Sequence, residues 1–501
     1  MKKQIAAIYH CTDRILPVIF LLLGASLLPG CKKYLEQVPD NRTQLDSPEK
    51  VAQLLTSAYP DRDYYTFTET MSDNSQDRKM AASQYVGDVR INEHPFRYTD
   101  FDTDIRGSVG AYWQSCYQAI AAANQALEAC DKHSGNKAYL PYKGEALMAR
   151  AYAHFMLVSL FAKSYDAATA AGDPGIPYVK EPEKTLYKNY ERKSVAYVYE
   201  MIDKDISEAL PLLNDNAYKV PAFHFTRVAA HAFAARFYLF QKQYDKVITH
   251  VSQAFPGTTI SAALRPLNTV YKAYTSDQFQ NYYTSSSQKT NLLLATNLSV
   301  WSRGQTDYQY GFNQALAQQL LYSNNVTGGY WTYGDLTYYW GPAPDRRSAK
   351  KLIEKFIYTS ADVGNPYVFA PLLTAEEALF NRAEANIQSG KYDAALTDLN
   401  AFISTRINNY DAGTNALTTA KVTSYYKTAD TRQALINALL DIKRVEFIQE
   451  GMRWFDILRH RLTVTHTNAD GSPIILTTDD RRKVIQIPQS AQAAGIAANP
   501  R

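Results

Sequence analysis

Residues 110–163 carry two helical patterns back to back. From about Gly110 to Cys130, Trp113, Cys116, Tyr117, Ile120, Asn124 and Leu127 recur at the i, i+3, i+4 spacing that places them on one helical face. Over about 143–163, Ala146, Ala149, Arg150, Ala153, Leu157 and Leu160 do the same. Upstream, Ser47-Pro48-Glu49 reads as an N-cap with proline in the first turn, opening a helix that runs to Tyr59 and stops at Pro60. Residues 61–107 hold many Asp, Asn, Ser and Arg without a sustained period and read as loop with short pieces. A Pro/Gly-rich connection, 164–193, ends at Ser194, which caps a helix reaching about Leu213.

Two later segments repeat one pattern. AARFYLFQKQYDKVITHV at 234–251 and AEANIQSGKYDAALTDLN at 383–400 each read as a small-residue helix, a turn and an amphipathic helix, with Tyr244-Asp245 matching Tyr392-Asp393 at an offset of 148 residues. That is the outline of a tetratricopeptide-like helix pair. The predicted fold is mainly α: such pairs form a scaffold interrupted by large loop-rich insertions and a few short strands. The principal insertion spans 255–345, with a short strand predicted at Asn291–Thr296. A last helix is predicted from about Thr431 to His460, followed by a tail of turns and short strands.

The N-terminus departs from this pattern. Lys2 and Lys3 precede a 14-residue apolar run, Ile15–Leu28, then Pro29-Gly30-Cys31. The run is shorter than the ~18–20 residues that span a bilayer. It reads as a secretory signal over residues 1–30, and Leu28, Gly30 and Cys31 resemble a bacterial lipobox, which implies lipidation of Cys31. Residues 31–47 then form a lipidated tether and 48–501 a single domain. Removing the signal leaves 50 basic and 48 acidic residues without a basic run, which argues against nucleic acid as a partner. Cys116 and Cys130, fourteen residues apart on one helix and so about 21 Å apart, are too distant for a disulfide.

Aromatic residues concentrate where the helical pattern fails. The window 271–340 holds sixteen, nearly twice the density of the whole chain at 13%. Rings with a flat apolar face suit the C–H faces of sugars. Trp331, Tyr333 and Trp340, then Trp301 and Tyr338, are the candidate ligand platforms, whereas Trp113 and Trp454 belong to helix patterns and should be core. The loop 85–106, with Tyr98, Asp100, Phe101 and Arg106, is a second candidate. For chemistry, Glu446, Glu450 and Arg453 share one face of the predicted last helix, an arrangement better suited to ion pairing than to two carboxylates flanking a scissile bond. The nine histidines form no HExxH motif, and no EF-hand-like loop predicts Ca²⁺; no cofactor or metal is expected.

Six segments in order resemble the SusD/RagB family of nutrient-binding outer-membrane lipoproteins. They are Cys31-Lys-Lys-Tyr-Leu-Glu36; Trp113-x3-Tyr117-x2-Ile120-x3-Asn124; Glu145-Ala146-x3-Arg150-Ala-Tyr152 with the Gly175-Ile-Pro-Tyr178 exit; Asp345-Arg-Arg347; Arg382-Ala-Glu-Ala385 with Gly390; and Arg444-x-Glu446-Phe-x2-Glu450-Gly-x-Arg453-Trp-Phe-Asp456, the most specific. The resemblance implies a lipid-anchored, cell-surface protein that binds oligosaccharide or peptide, performs no chemistry, and serves as the lid of a SusC-like TonB-dependent transporter in the outer membrane. A lipid-anchored glycoside hydrolase and a ligand-free helical scaffold are the rival readings.

Overall fold

The computed structural model describes residues 45–501 except 102, 186–188, 258 and 340–344. The signal segment, Cys31, most of the tether and Trp340 lie outside the described residues. The longer helices are α1 (Val109–Lys132), α2 (Leu140–Phe161), α3 (Val195–Ala209), α4 (Arg227–Phe240), α5 (Tyr244–Ala254), α6 (Ala375–Gln388), α7 (Tyr392–Ile403) and α8 (Thr431–Glu446). Helix α2 packs between α1 and α3, and α6 packs against α5, α7 and α8. The stripe expected on α2 is in fact all-round burial from Gly144 to Phe161, because neighbours cover every side of this alanine-rich helix.

The two sequence repeats are structural repeats. In each, the turn residue adopts a left-handed conformation, Lys242 at φ +60° and Gly390 at φ +74°. In each, the next amide reaches back five residues, Gln243 N to Tyr238 O at 2.9 Å and Lys391 N to Asn386 O at 2.8 Å. Tyr244 and Tyr392 then open the second helices α5 and α7. All these positions keep the 148-residue offset, and the backbone closes the first helix as a glycine-type C-cap does, even where the residue is lysine.

The insertion supplies strand β1 (Asn291–Leu298) and the segment after it strands β2 (Glu354–Tyr358) and β3 (Gly364–Thr374) of an antiparallel sheet in the order β1-β3-β2. The strand expected at 291–296 is present; β3 ends in Thr374, whose hydroxyl caps α6. Residues 61–107 hold two short helices, Tyr65–Met71 and Arg90–Arg97. The predicted last helix is not continuous. It stops at Glu446, turns through Gln449 (φ +66°) and Gly451 (φ +73°), and resumes as Arg453–Arg459. Glu446, Glu450 and Arg453 therefore do not share a helical face.

That break has a cause far away in sequence. The buried Glu69 carboxylate accepts the amide N–H of Gln449 at 2.7 Å and of Gly451 at 3.0 Å, and the Asn74 side chain at 3.1 Å. A Cβ on Gly451 would lie 2.3 Å from Thr68 Oγ1 and 2.7 Å from Tyr65 Cα, so this close approach requires glycine. Cys116 and Cys130 are both buried and unpaired. Among the described residues, no helix is long and apolar enough to cross a membrane.

Candidate functional site

The most specific motif proves to be an anchor system. Arg406, fully buried, grips Glu446 through Nε at 2.8 Å and Nη2 at 2.9 Å, and also reaches Glu376 at 3.0 Å. Arg265 completes the pairing of Glu376 at 3.0 Å. Burial alone would raise the Glu376 carboxyl, but Arg265 and Arg406 hold it down to about 2. Glu450 accepts from Lys351 at 2.8 Å and from the Tyr283 hydroxyl at 2.7 Å. Arg453 forms a bidentate pair with Asp73 at 2.9 Å on each arm, and Asp456 is paired with Lys443 at 2.6 Å. Arg265 and Tyr283 of the insertion, with Lys351 just beyond it, are thereby bolted to α6, to Arg406 after α7, and to the end of α8 and the turn that follows it.

The earlier motifs act similarly. Arg150 binds Asp205 through two 2.7 Å bonds and Asn124 through a third, and Asn124 in turn holds the exit loop at Val179 O. Among the described residues, the only three potential metal-ligating groups that converge are Glu384, Asp456 and His460. Arg459 already lies against both carboxylates, at 2.8 and 2.9 Å, so positive charge is supplied without an ion.

Most of the expected aromatic platforms are core. Trp301, Trp331 and Tyr333 are 4%, 2% and 2% exposed, so no ring face is open to a ligand. Trp301 Nε1 donates to Gln449 O at 2.9 Å, fixing the ring against the helix break. Lys351 Nζ sits 4.6 Å from the Tyr333 ring centre, which places that ring inside the ionic cluster. Tyr338 is half-buried on a two-residue strand opposite Ser348. Trp113 and Trp454 are buried as expected; His154 is buried too, and His231 is half-buried beside His250.

The second candidate region opens onto a cleft of about 410 Å³, lined by residues 94–101, the start of α1 and the C-terminal segment 482–501. The helix Arg90–Arg97 ends at Tyr98 in a left-handed conformation (φ +54°), which turns the chain outward into the loop 98–108. Tyr98 forms the floor: its hydroxyl donates to Met71 O at 2.7 Å, and its ring stacks on His466. Burial raises that hydroxyl well above its ordinary value, so it remains a protonated donor. Phe101 is half-buried, stacked on His94 with ring centres 4.6 Å apart, and Arg90 lies 4.8 Å from its centre.

Charge at the cleft is balanced locally. Arg501 pairs with Asp100 at 2.7 Å, Arg482 with Asp480 at 2.7 Å, and Arg90 with Asp88. Gln489 and Gln492 add amides to the wall. A recess of this size with an aromatic side and several polar groups suits a polyhydroxylated ligand. Arg482, Gln489, Gln492 and Arg501 carried no sequence signal, since nothing in a polar tail says which loop it will face. A second recess, about 550 Å³ beside Tyr59, Ser115 and His224, holds none of the expected platforms.

Helix pairs carrying a loop-built cleft define the class of fold, a mainly helical scaffold with large loop-rich insertions. The sequence matches the SusD-like family described as "Starch-binding associating with outer membrane" over residues 33–239, and the SusD family over residues 268–487. The chain belongs to the SusD/RagB family. Its fold is similar to that of a SusD superfamily protein from Bacteroides thetaiotaomicron, with TM-score 0.64, 18% identity, and coverage of 92% of this chain and 100% of the other. A SusD superfamily protein from Bacteroides fragilis gives 0.65 at 18% identity over 89% and 98% of the two chains. A SusD-like carbohydrate binding protein from Bacteroides vulgatus gives 0.63 at 16% identity over 89% and 96%. Among curated proteins, none matches this sequence.

Proposed function

We propose that this protein binds an oligomeric nutrient, a glycan, in the cleft beside Tyr98 and Phe101, and delivers it to a SusC-like TonB-dependent transporter over which it acts as a lid. The observation that carries this reading is the cleft itself: an aromatic side at Phe101 and His94, the buried Tyr98 beneath it, amides from Gln489 and Gln492, and locally paired charges. Family membership and the carbohydrate-binding description of a structural neighbour support the ligand class. The lipobox-like Cys31 supports attachment to a membrane by lipid, and family membership supports the outer-membrane surface as the place.

The protein acts without chemistry in this reading. Glu446, the acid a hydrolase would require, is fully buried and spent on Arg406, and Glu450 is spent on Lys351 and Tyr283. The test is a mild-detergent pull-down of the full-length lipoprotein from its native outer membrane. A TonB-dependent barrel recovered in near-equal amount is the expected result, with glycans that bind the complex and are returned intact. Recovery of the lipoprotein alone, or hydrolysis that disappears with Glu446→Gln, would overturn the proposal.

A further inference from the structure

The two helix pairs are closed differently at one matching position. In the second pair, Asp398 of α7 accepts two bonds from Arg382 of α6, at 2.9 and 2.6 Å. The residue 148 positions before Asp398 is His250 of α5, and another histidine, His231 of α4, meets it with the two Nδ1 atoms 2.9 Å apart. Carboxylate and guanidinium satisfy each other outright. Two imidazoles do not: a neutral ring carries a single N–H, so one Nδ1 donates and the other accepts.

The pair is held in place and remains within reach of solvent. Tyr238 of α4 stacks on His250 with ring centres 5.2 Å apart, and its hydroxyl donates to Asp203 of α3. Both histidines are only half-buried. Burial, then His231 and Lys246, push His250 down to about 4 against the pull of Asp203, and burial with Arg227 lowers His231 as well. Both rings are therefore neutral, the form in which imidazole ligates a metal. The separation of the nitrogens is also informative. Imidazole nitrogens bind a divalent transition ion at about 2.0–2.1 Å. At adjacent corners of a square or octahedron, roughly 90° apart, two of them lie about 2.9 Å from each other. Tetrahedral corners would set them about 3.3 Å apart.

We infer that His231 and His250 form a two-nitrogen site for a tetragonal divalent cation, Cu²⁺ or Ni²⁺, which pins α4 to α5 and keeps water on its remaining positions. Entry of the ion releases no proton: the ring that donates through Nδ1 moves its hydrogen to Nε2, and both Nδ1 lone pairs turn to the metal. The ion then does for the first helix pair what Arg382 and Asp398 do for the second. The two ligands stand nineteen residues apart on different helices, so no local motif marks the site in the sequence. The inference is independent of glycan binding in the cleft beside Tyr98.

The experiment uses the full mature chain, purified without a histidine tag, and copper(II) sulfate as the probe. Calorimetric titration should show one saturable equivalent of Cu²⁺, and His231→Gln and His250→Gln should each weaken it by at least about tenfold, since one ligand no longer brings the ion to the other. Copper should raise the parent's Tm in a concentration-dependent way and leave the variants' Tm unchanged. A second measurement needs only the parent: carbethoxylation of histidines read by mass spectrometry. The first equivalent of Cu²⁺ should protect His231 and His250 and no other histidine, because a ring metallated at Nδ1 carries its hydrogen on Nε2 and has no free lone pair. This footprint decides the matter even if a variant fails to fold. Absence of a saturable equivalent, variants that keep the parent's affinity, or protection at other histidines overturns the inference.

Discussion

Replacing Arg406 by methionine tests the anchor system most directly. The side chain is wholly buried and serves Glu446 twice, Glu376 once, and the Arg265 carbonyl at 2.7 Å. Glu376 keeps Arg265, but Glu446 loses its only ion-pair partner among the described residues. Removing one member of a buried pair costs about 3–5 kcal/mol. A body of roughly 450 residues unfolding as one unit has an entropy of about 1 kcal/mol/K at its midpoint, so Arg406→Met should lower Tm by about 3–5 °C. The double variant Arg406→Met/Glu446→Leu removes both charges and should recover more than half of the loss, because the penalty lies in the stranded carboxylate. Urea unfolding followed by circular dichroism on the parent, both single variants and the double variant closes the cycle. A single-variant loss below about 0.5 kcal/mol, or a double variant no better than the sum of the singles, would falsify the view that this pair is a buried structural bond.

Gly451→Ala should be far more damaging than its size suggests, at least about 3 kcal/mol or no soluble protein, since it combines a left-handed backbone with a Cβ 2.3 Å from Thr68 Oγ1; expression yield and Tm report it. Acid should weaken the fold: Glu376 is held at about 2, as is Asp73, where Arg444 and Arg453 outweigh burial, so their stabilisation is present above about 4.5 and lost as pH falls toward 2. Burial pushes Glu69 the other way, up to about 7, so its contribution declines as pH rises from about 4.5 to 7, and urea midpoints across pH 2–8 should show both limbs. Phe101→Ala should reduce glycan affinity about three- to tenfold by titration, with little change in Tm because the ring is only half-buried. Cys116 and Cys130 should react with a thiol reagent only after unfolding, and reductant should leave Tm unchanged; burial raises both thiols, Cys130 to about 12.

Local periodicity made much of the scaffold legible. Helices α1 and α2, the strand at 291–298, and the paired Tyr-Asp turns follow from patterns within twenty residues of each other. The exceptions share a physical origin. EFIQEGMRWF has helical residues and spacing, yet Glu69, nearly four hundred positions earlier, takes the amides that a continuous helix would use. Trp301, Trp331 and Tyr333 look like exposed platforms in a polar insertion, yet they are core: Gln449 O accepts from Trp301, Ile407 bridges to the Trp331 backbone and Lys351 lies over the Tyr333 ring, all from elsewhere in the chain. Tyr98 and Phe101 were legible as candidates, but the opposite wall at 482–501 was not. Strand β3 escaped notice because its GNPYVFAPLLT sequence alternates weakly and carries two prolines.

Buried bonds across the chain also decide how far this protein is modular. The two family matches divide it near residue 250, as though it were two exchangeable parts. Yet Arg236 in the first part is locked to Glu377 in the second with both side chains buried, and Asp73 and Glu69 clasp residues 444–453. A cut between the parts leaves unmatched charge on both sides. Swapping one half for that of a relative would mismatch it again unless those partners travelled together. An exchange confined to loops outside the clasp leaves these buried bonds intact, whereas one that divides the clasp does not.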